Sequence, residues 1–157
     1  MSEMRETDYL PETANVEKYI VFSIVDKLFS FPSRVIGEIA LFDTVYPLPL
    51  LPPYVLGVIN RYSVPYALFD IEQLFFKVPG KRNKIMIAKE TIDRIAFLIN
   101  DVMGIVDIQK DSLINIESNI ESNDLSEAVY ASFEWNDVDV LVLDINRILD
   151  RVAAEVS

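Results

Sequence analysis

From residue 19 onward, short apolar runs alternate with polar turns. Tyr19-Ile20-Val21-Phe22-Ser23-Ile24-Val25 and Leu28-Phe29-Ser30-Phe31, separated by Asp26-Lys27, predict a β-hairpin. Val35 to Ala40, Tyr54 to Asn60 and Val64 to Phe69 predict three further strands. Residues 46–53 hold four prolines, which suits an extended, stiff connection rather than a helix or an inner strand. Ile85 to Ala88 and Arg94 to Ile99, on either side of a polar turn at 89–91, predict a second hairpin, followed by a strand from Ile105 to Ile108. Residues 109–127 are acidic and rich in Ser and Asn, which predicts a long surface loop or a short helix. Val129 to Phe133 and Val138 to Leu143 predict a third hairpin around Trp135-Asn136-Asp137. Only at the end does the period change. Ile145, Ile148, Leu149 and Val152 then form one helical stripe behind an N-cap at Asp144.

The pattern also repeats. Leu68-Phe69-Asp70-Ile71-Glu72-Gln73-Leu74-Phe75 matches Val142-Leu143-Asp144-Ile145-Asn146-Arg147-Ile148-Leu149 in residue type, each reading as a strand that runs into an Asp-capped helical turn. Ser30 to Gly37 matches Phe97 to Gly104 in the same way, as a strand, a polar corner, an apolar pair and a glycine. Two similar small β units follow, with approximate halves at 17–80 and 81–151 and strands free to exchange between them. Residues 1–16 form a flexible acidic tail and 152–157 the C-terminal end. Units this small need each other's apolar surface, and closure into barrels would remove exposed sheet edges. The expected fold is therefore mainly β, a pair of small closed or nearly closed barrels with a short C-terminal helix. Tyr19 to Val25 is apolar on both faces, which leaves two readings open: burial between the units, or an exposed docking patch.

Composition narrows the chemistry. The 157 residues, about one domain's worth, are 51% hydrophobic with a mean hydropathy of +0.24, enough for a sizeable core. Cysteine and histidine are absent, which removes the thiolate nucleophile, the usual general base and the usual zinc ligands. The four glycines are not spaced to cradle a phosphate. No catalytic residue, metal or cofactor is expected. The net charge of −11 repels nucleic acid and anionic membranes. The one basic cluster, Lys77, Lys81, Arg82 and Lys84, brackets a Pro-Gly pair and reads as a loop. No signal peptide or spanning segment is legible, so a cytoplasmic protein without membrane insertion is expected. Asp70 and Asp144 read as helix caps rather than a catalytic pair. Trp135 reads as either a barrel cap or a partner anchor.

Four segments in order give a resemblance. Tyr19-Ile20-Val21-Phe22 with Phe29-Ser30-Phe31-Pro32, then Val35-Ile36-Gly37-Glu38-Ile39, then Leu51-Pro52-Pro53-Tyr54-Val55-Leu56-Gly57-Val58-Ile59-Asn60, and finally Asn100-Asp101-Val102-Met103-Gly104-Ile105-Val106 resemble the CheW family of bacterial chemotaxis coupling proteins over residues 17–151. The third segment is the specific one. The resemblance implies two SH3-like, five-stranded barrel subdomains and a non-enzymatic adaptor. Its implied partners are the regulatory domain of a CheA-type histidine kinase and the cytoplasmic tips of chemoreceptors, in membrane-associated arrays. It implies one face for the kinase and a groove between subdomains for the receptor. One departure stands out: after the Asn the family continues Leu-Arg-Gly, whereas Asn60 is followed by Arg61-Tyr62-Ser63. The family's arginine and glycine positions thus fall on Tyr62 and Ser63, and receptor coupling is the property this touches. Glu38, Gly57, Val58, Asn60, Arg61 and Tyr62 are the candidate partner-binding residues. A small-molecule or nucleotide-binding β domain is the alternative.

Overall fold

A computed structural model describes residues 15–116 and 127–156, with the side chains of the last two left aside. The chain runs β1 (Val16–Ile24), β2 (Lys27–Pro32), β3 (Ile36–Leu41), β4 (Val55–Arg61), β5 (Val64–Asp70), α1 (Ile71–Phe76), β6 (Lys84–Ala88), β7 (Ile95–Ile99), β8 (Asp101–Gln109), β9 (Ile114–Asn115), β10 (Val129–Trp135), β11 (Val138–Leu143) and α2 (Ile145–Val156). The mainly β expectation and the short C-terminal helix stand. Val16 already belongs to β1, so strand structure begins inside the stretch read as a tail, whose residues 1–14 lie outside the described residues. Much of the 109–127 stretch, 117–126, lies outside them too.

The strands form a six-stranded sheet in the order β8-β1-β2-β11-β10-β9 and a five-stranded sheet in the order β3-β6-β7-β5-β4. The approximate halves do not coincide with these sheets. β6 and β7 pair with strands of the first half, while β1 and β2 pair with β8 and β11. Four ladders make this exchange: two antiparallel, β1 on β8 and β3 on β6, and two parallel, Leu28 to Ser30 on Val140 to Val142 and Ala67 to Asp70 on Ile95 to Leu98.

Closed barrels are not what forms. β3 and β4 are the edges of the smaller sheet, β8 and β9 those of the larger, and no ladder joins either pair. In the smaller sheet the place beside β4 is taken by the chain's own connection, where Tyr46 bridges Val58. In the larger sheet β9 is only two residues long. Both sheets nevertheless curl far enough for side chains to reach across. A Cβ on Gly104 of β8 would lie 3.2 Å from the Trp135 ring of β10, so Trp135 seals the larger sheet as a cap.

Curling gives each sheet its own interior, and a third core lies between the sheets. Tyr19, Val21, Phe133 and Val142 fill the larger sheet, and Ile59, Leu68, Ile87 and Leu98 fill the smaller. Alternate residues on the same strands, Ile20, Phe22 and Ile24 on β1 with Ile95, Phe97 and Ile99 on β7, pack between the sheets. Phe31 stacks on Phe97 with ring centroids 5.2 Å apart, and on Phe22 at 5.5 Å. The two-sided apolar character of Tyr19 to Ile24 is therefore burial on both faces, not a docking patch. Val25 is different. Ile24 pairs with Lys27, which moves the hairpin turn one residue back, onto Val25-Asp26. α2 closes the inter-sheet core with Ile145, Ile148 and Val152, while Asp144 Oδ1 accepts from Asn146 N at 2.8 Å.

Candidate functional site

Glu38 sits on edge strand β3 and Arg61 ends edge strand β4, yet an Arg61 Nη2 group donates to Glu38 Oε2. The pair spans the open seam of the smaller sheet. Its side chains are 27% and 34% exposed, so solvent screens it and it adds at most about 1 kcal/mol. Its effect is positional, since it holds two unladdered edges at a fixed spacing. Tyr62 joins the cluster. Its hydroxyl donates to Glu38 Oε2 at 3.4 Å, and the Arg61 guanidinium carbon lies 5.1 Å from its ring centroid.

The turn that carries Tyr62 is strained. Tyr62 and Ser63 have φ of 51° and 67°, the left-handed values a two-residue hairpin turn requires, normally met by Asn or Gly. Asn136 and Asp137 meet the same demand in the β10–β11 turn with residue types suited to it. The departure from the family's Arg-Gly thus falls on the two residues of this turn. The one-residue shift of the cation puts Arg61 on the strand, beside Glu38, while Tyr62 takes the exposed turn position (82% exposed).

Gly57 and Val58 act on the connection that follows β3. Gly57 has φ of 141°, and a Cβ there would lie 2.3 Å from the Tyr46 carbonyl oxygen and 2.8 Å from Pro47 Cα. Val58 exchanges both backbone hydrogen bonds with Tyr46, at 2.8 and 2.9 Å. The close approach that Gly57 permits is therefore made by the chain itself. Asn60 is exposed and lines an open cleft of about 150 Å³ with Leu41, Asp43, Tyr46 and Arg61. The structure brings Glu38, Arg61 and Tyr62 into contact, sets Asn60 beside them, and places Gly57 and Val58 under the strap that borders them.

Sequence reasoning missed the strap's outer surface. Tyr46, Leu48 and Leu50 are exposed there, Leu50 fully so with φ of 61°, and exposed Leu41 at the end of β3 adjoins them. The signal was present in Pro47-Leu48-Pro49-Leu50-Leu51, but prolines spaced among leucines read only as stiffness. Arg82, from the basic cluster, lies over the Phe42 ring at 5.5 Å and so belongs to the same border. Lys84 instead pairs with Asp101 at 2.5 Å and holds that carboxyl below its ordinary range, with help from the Val102 N–H. Burial pushes the Tyr19 and Tyr130 hydroxyls up, so both stay neutral inside the larger sheet. Among the described residues no group of carboxylates is placed to hold a metal ion, and no helix is long and apolar enough to cross a membrane.

A family model described as CheW-like domain matches residues 18–153. Among solved structures, the chain is similar to the scaffolding protein TtCheW from Thermoanaerobacter tengcongensis, with a TM-score of 0.72 and 18% identity, over 82% of this chain and 88% of that one. No curated protein sequence matches the chain.

Proposed function

This chain belongs to the CheW-like domain family, and from that membership we propose that it is a non-enzymatic chemotaxis adaptor. It couples the regulatory domain of a CheA-type histidine kinase to the cytoplasmic tips of chemoreceptors and is recruited from the cytoplasm to their arrays. The observation that carries this reading is the seam of the smaller sheet. There, exposed Leu41, Tyr46 and Tyr62 lie beside the half-buried Glu38–Arg61 pair, and the connection from β3 to β4 carries exposed Leu48 and Leu50. An apolar centre beside a polar, charged rim is the usual anatomy of a protein interface. The scaffolding protein it resembles in fold agrees with a binding role.

Co-sedimentation with kinase and receptor fragments tests the proposal. Leu50 has a fully exposed side chain, so Leu50→Asp is expected to leave the melting temperature unchanged and to weaken the ternary complex about tenfold. Tyr62→Arg with Ser63→Gly restores the family's turn and is expected to raise affinity for receptors of other systems. Unimpaired assembly by Leu50→Asp and Tyr62→Asp together would sink the site. Calorimetric binding of ATP or purines, with no ternary complex, would favour the small-molecule alternative.

A further inference from the structure

Strain and exposure coincide at a second place, the end of the larger sheet where the β1–β2 turn lies near the start of β11. Val25 has φ of 59°, a conformation that a β-branched residue adopts only against steric resistance. Its side chain remains 46% exposed, so burial does not offset the strain. Val138, the first residue of β11, is 47% exposed. Leu28 stands opposite Val140 in parallel register, which brings both segments to one end of the sheet. An open cleft of about 330 Å³ lies there, lined by half-buried Leu28 and Leu141 and by exposed Asp26, Lys27, Val138 and Asp139.

The charge at this end is unbalanced. Glu134 faces Asp139 directly across the β10–β11 ladder, both exposed, and like charges so placed oppose strand pairing. Asp137 occupies the adjoining turn. Among the described ion pairs none involves Asp26, Glu134, Asp137 or Asp139, and Lys27 is the one cation lining the cleft. A strained valine, an exposed valine and two opposed carboxylates all work against the isolated chain. The exposed valine side chains and the opposed carboxylates are matched by a surface that is apolar at its centre and cationic at its edge.

We propose that this end of the larger sheet docks a protein segment presenting an apolar side chain flanked by lysine or arginine. The site is separate from the Glu38–Arg61 seam, which belongs to the other sheet.

The test is nuclear magnetic resonance titration of the full labelled chain with the peptide acetyl-Lys-Leu-Lys-amide. Saturable shifts are expected at the amides of residues 25–28 and 138–141, weakening as salt is raised. The double variant Asp26→Lys, Asp139→Lys is expected to weaken binding about fivefold with its fold intact. Acetyl-Lys-Gly-Lys-amide and acetyl-Glu-Leu-Glu-amide should not saturate these amides. Absence of shifts, shifts spread over the whole acidic surface, or equal binding of either control peptide would overturn the proposal. Val25→Asn suits the left-handed turn, so it is expected to raise the unfolding midpoint while weakening the peptide. A lowered midpoint would overturn the argument that Val25 is kept for docking at the expense of stability.

Discussion

Gly57 and Ser63 sit six residues apart on one hairpin and make opposite demands on it. At Gly57 a side chain would collide with the Tyr46 carbonyl and would also be forced to a φ that L-residues avoid. Gly57→Ala should therefore lower stability by about 2 kcal/mol or more, read by denaturant unfolding, with the strap as the first segment to lose amide protection. At Ser63 the side chain is already present in a left-handed turn. Ser63→Gly should raise stability by about 0.5–1 kcal/mol, and a fall would mean that the turn is not strained. Of these two, Gly57 was legible as a point of close backbone approach. What makes the approach was not, because Tyr46 and Val58 meet through a backbone bridge that no side-chain pattern announces. Arg61 and Glu38 were legible as lone charges near apolar strands. Their contact depends on the curl of a sheet whose edges they occupy, and that property belongs to the assembled strands.

At the scale of elements, α1 shows how one carboxylate organises a segment. Asp70 is buried, accepts from Gln73 N at 3.1 Å as the helix cap, and accepts from Gly80 N at 2.8 Å in the loop beyond. Asp70→Ala strands two backbone donors and should lower stability by about 2–3 kcal/mol, measured by thermal unfolding. The cap was legible from Asp70 preceding an apolar helical turn; the second bond was not, because a ten-residue separation has no period. Strands were legible wherever apolar runs were bounded by polar turns. β8 was half missed, since its Asp101 to Gly104 portion alternates exposed and half-buried positions and read as a corner. The Lys84–Asp101 pair ties β6 of one sheet to β8 of the other. Because Asp101 titrates below its ordinary range when folded, its contribution is present above the unfolded carboxyl value near 3.8. It is lost as pH falls through the lower folded value. Lys84→Met should flatten the acid limb of stability against pH in that window, and an unchanged limb would show the pair to be inert.

For the molecule as a whole, the inter-sheet core makes two sheets one cooperative unit. Phe97 stacks on Phe31 of the larger sheet and lies 6.2 Å from Phe69 of its own. Phe97→Ala should lower stability by about 3–5 kcal/mol. Unfolding should remain a single transition by fluorescence and by circular dichroism, and a split into two transitions would mean that the sheets fold separately. Two small β units were legible from the internal repetition and their mutual packing from their small size, whereas strands apolar on both faces left burial and docking open. Which strand joins which sheet was not legible, because parallel contacts such as β2 on β11 carry no turn to mark them. The same contact sets an order of events during synthesis. Ser30 reaches Leu141 across a separation of 111 residues, so the opening ribbon leaves the ribosome long before its neighbour exists. The middle of the chain, β3 to β7, can pair meanwhile, since all five strands of its sheet are contiguous. A nascent chain therefore carries Tyr19 and Val21 uncovered until its last hairpin supplies Phe133, Val140 and Val142. Premature termination before that hairpin should yield aggregates or chaperone-bound product rather than a half-sized adaptor.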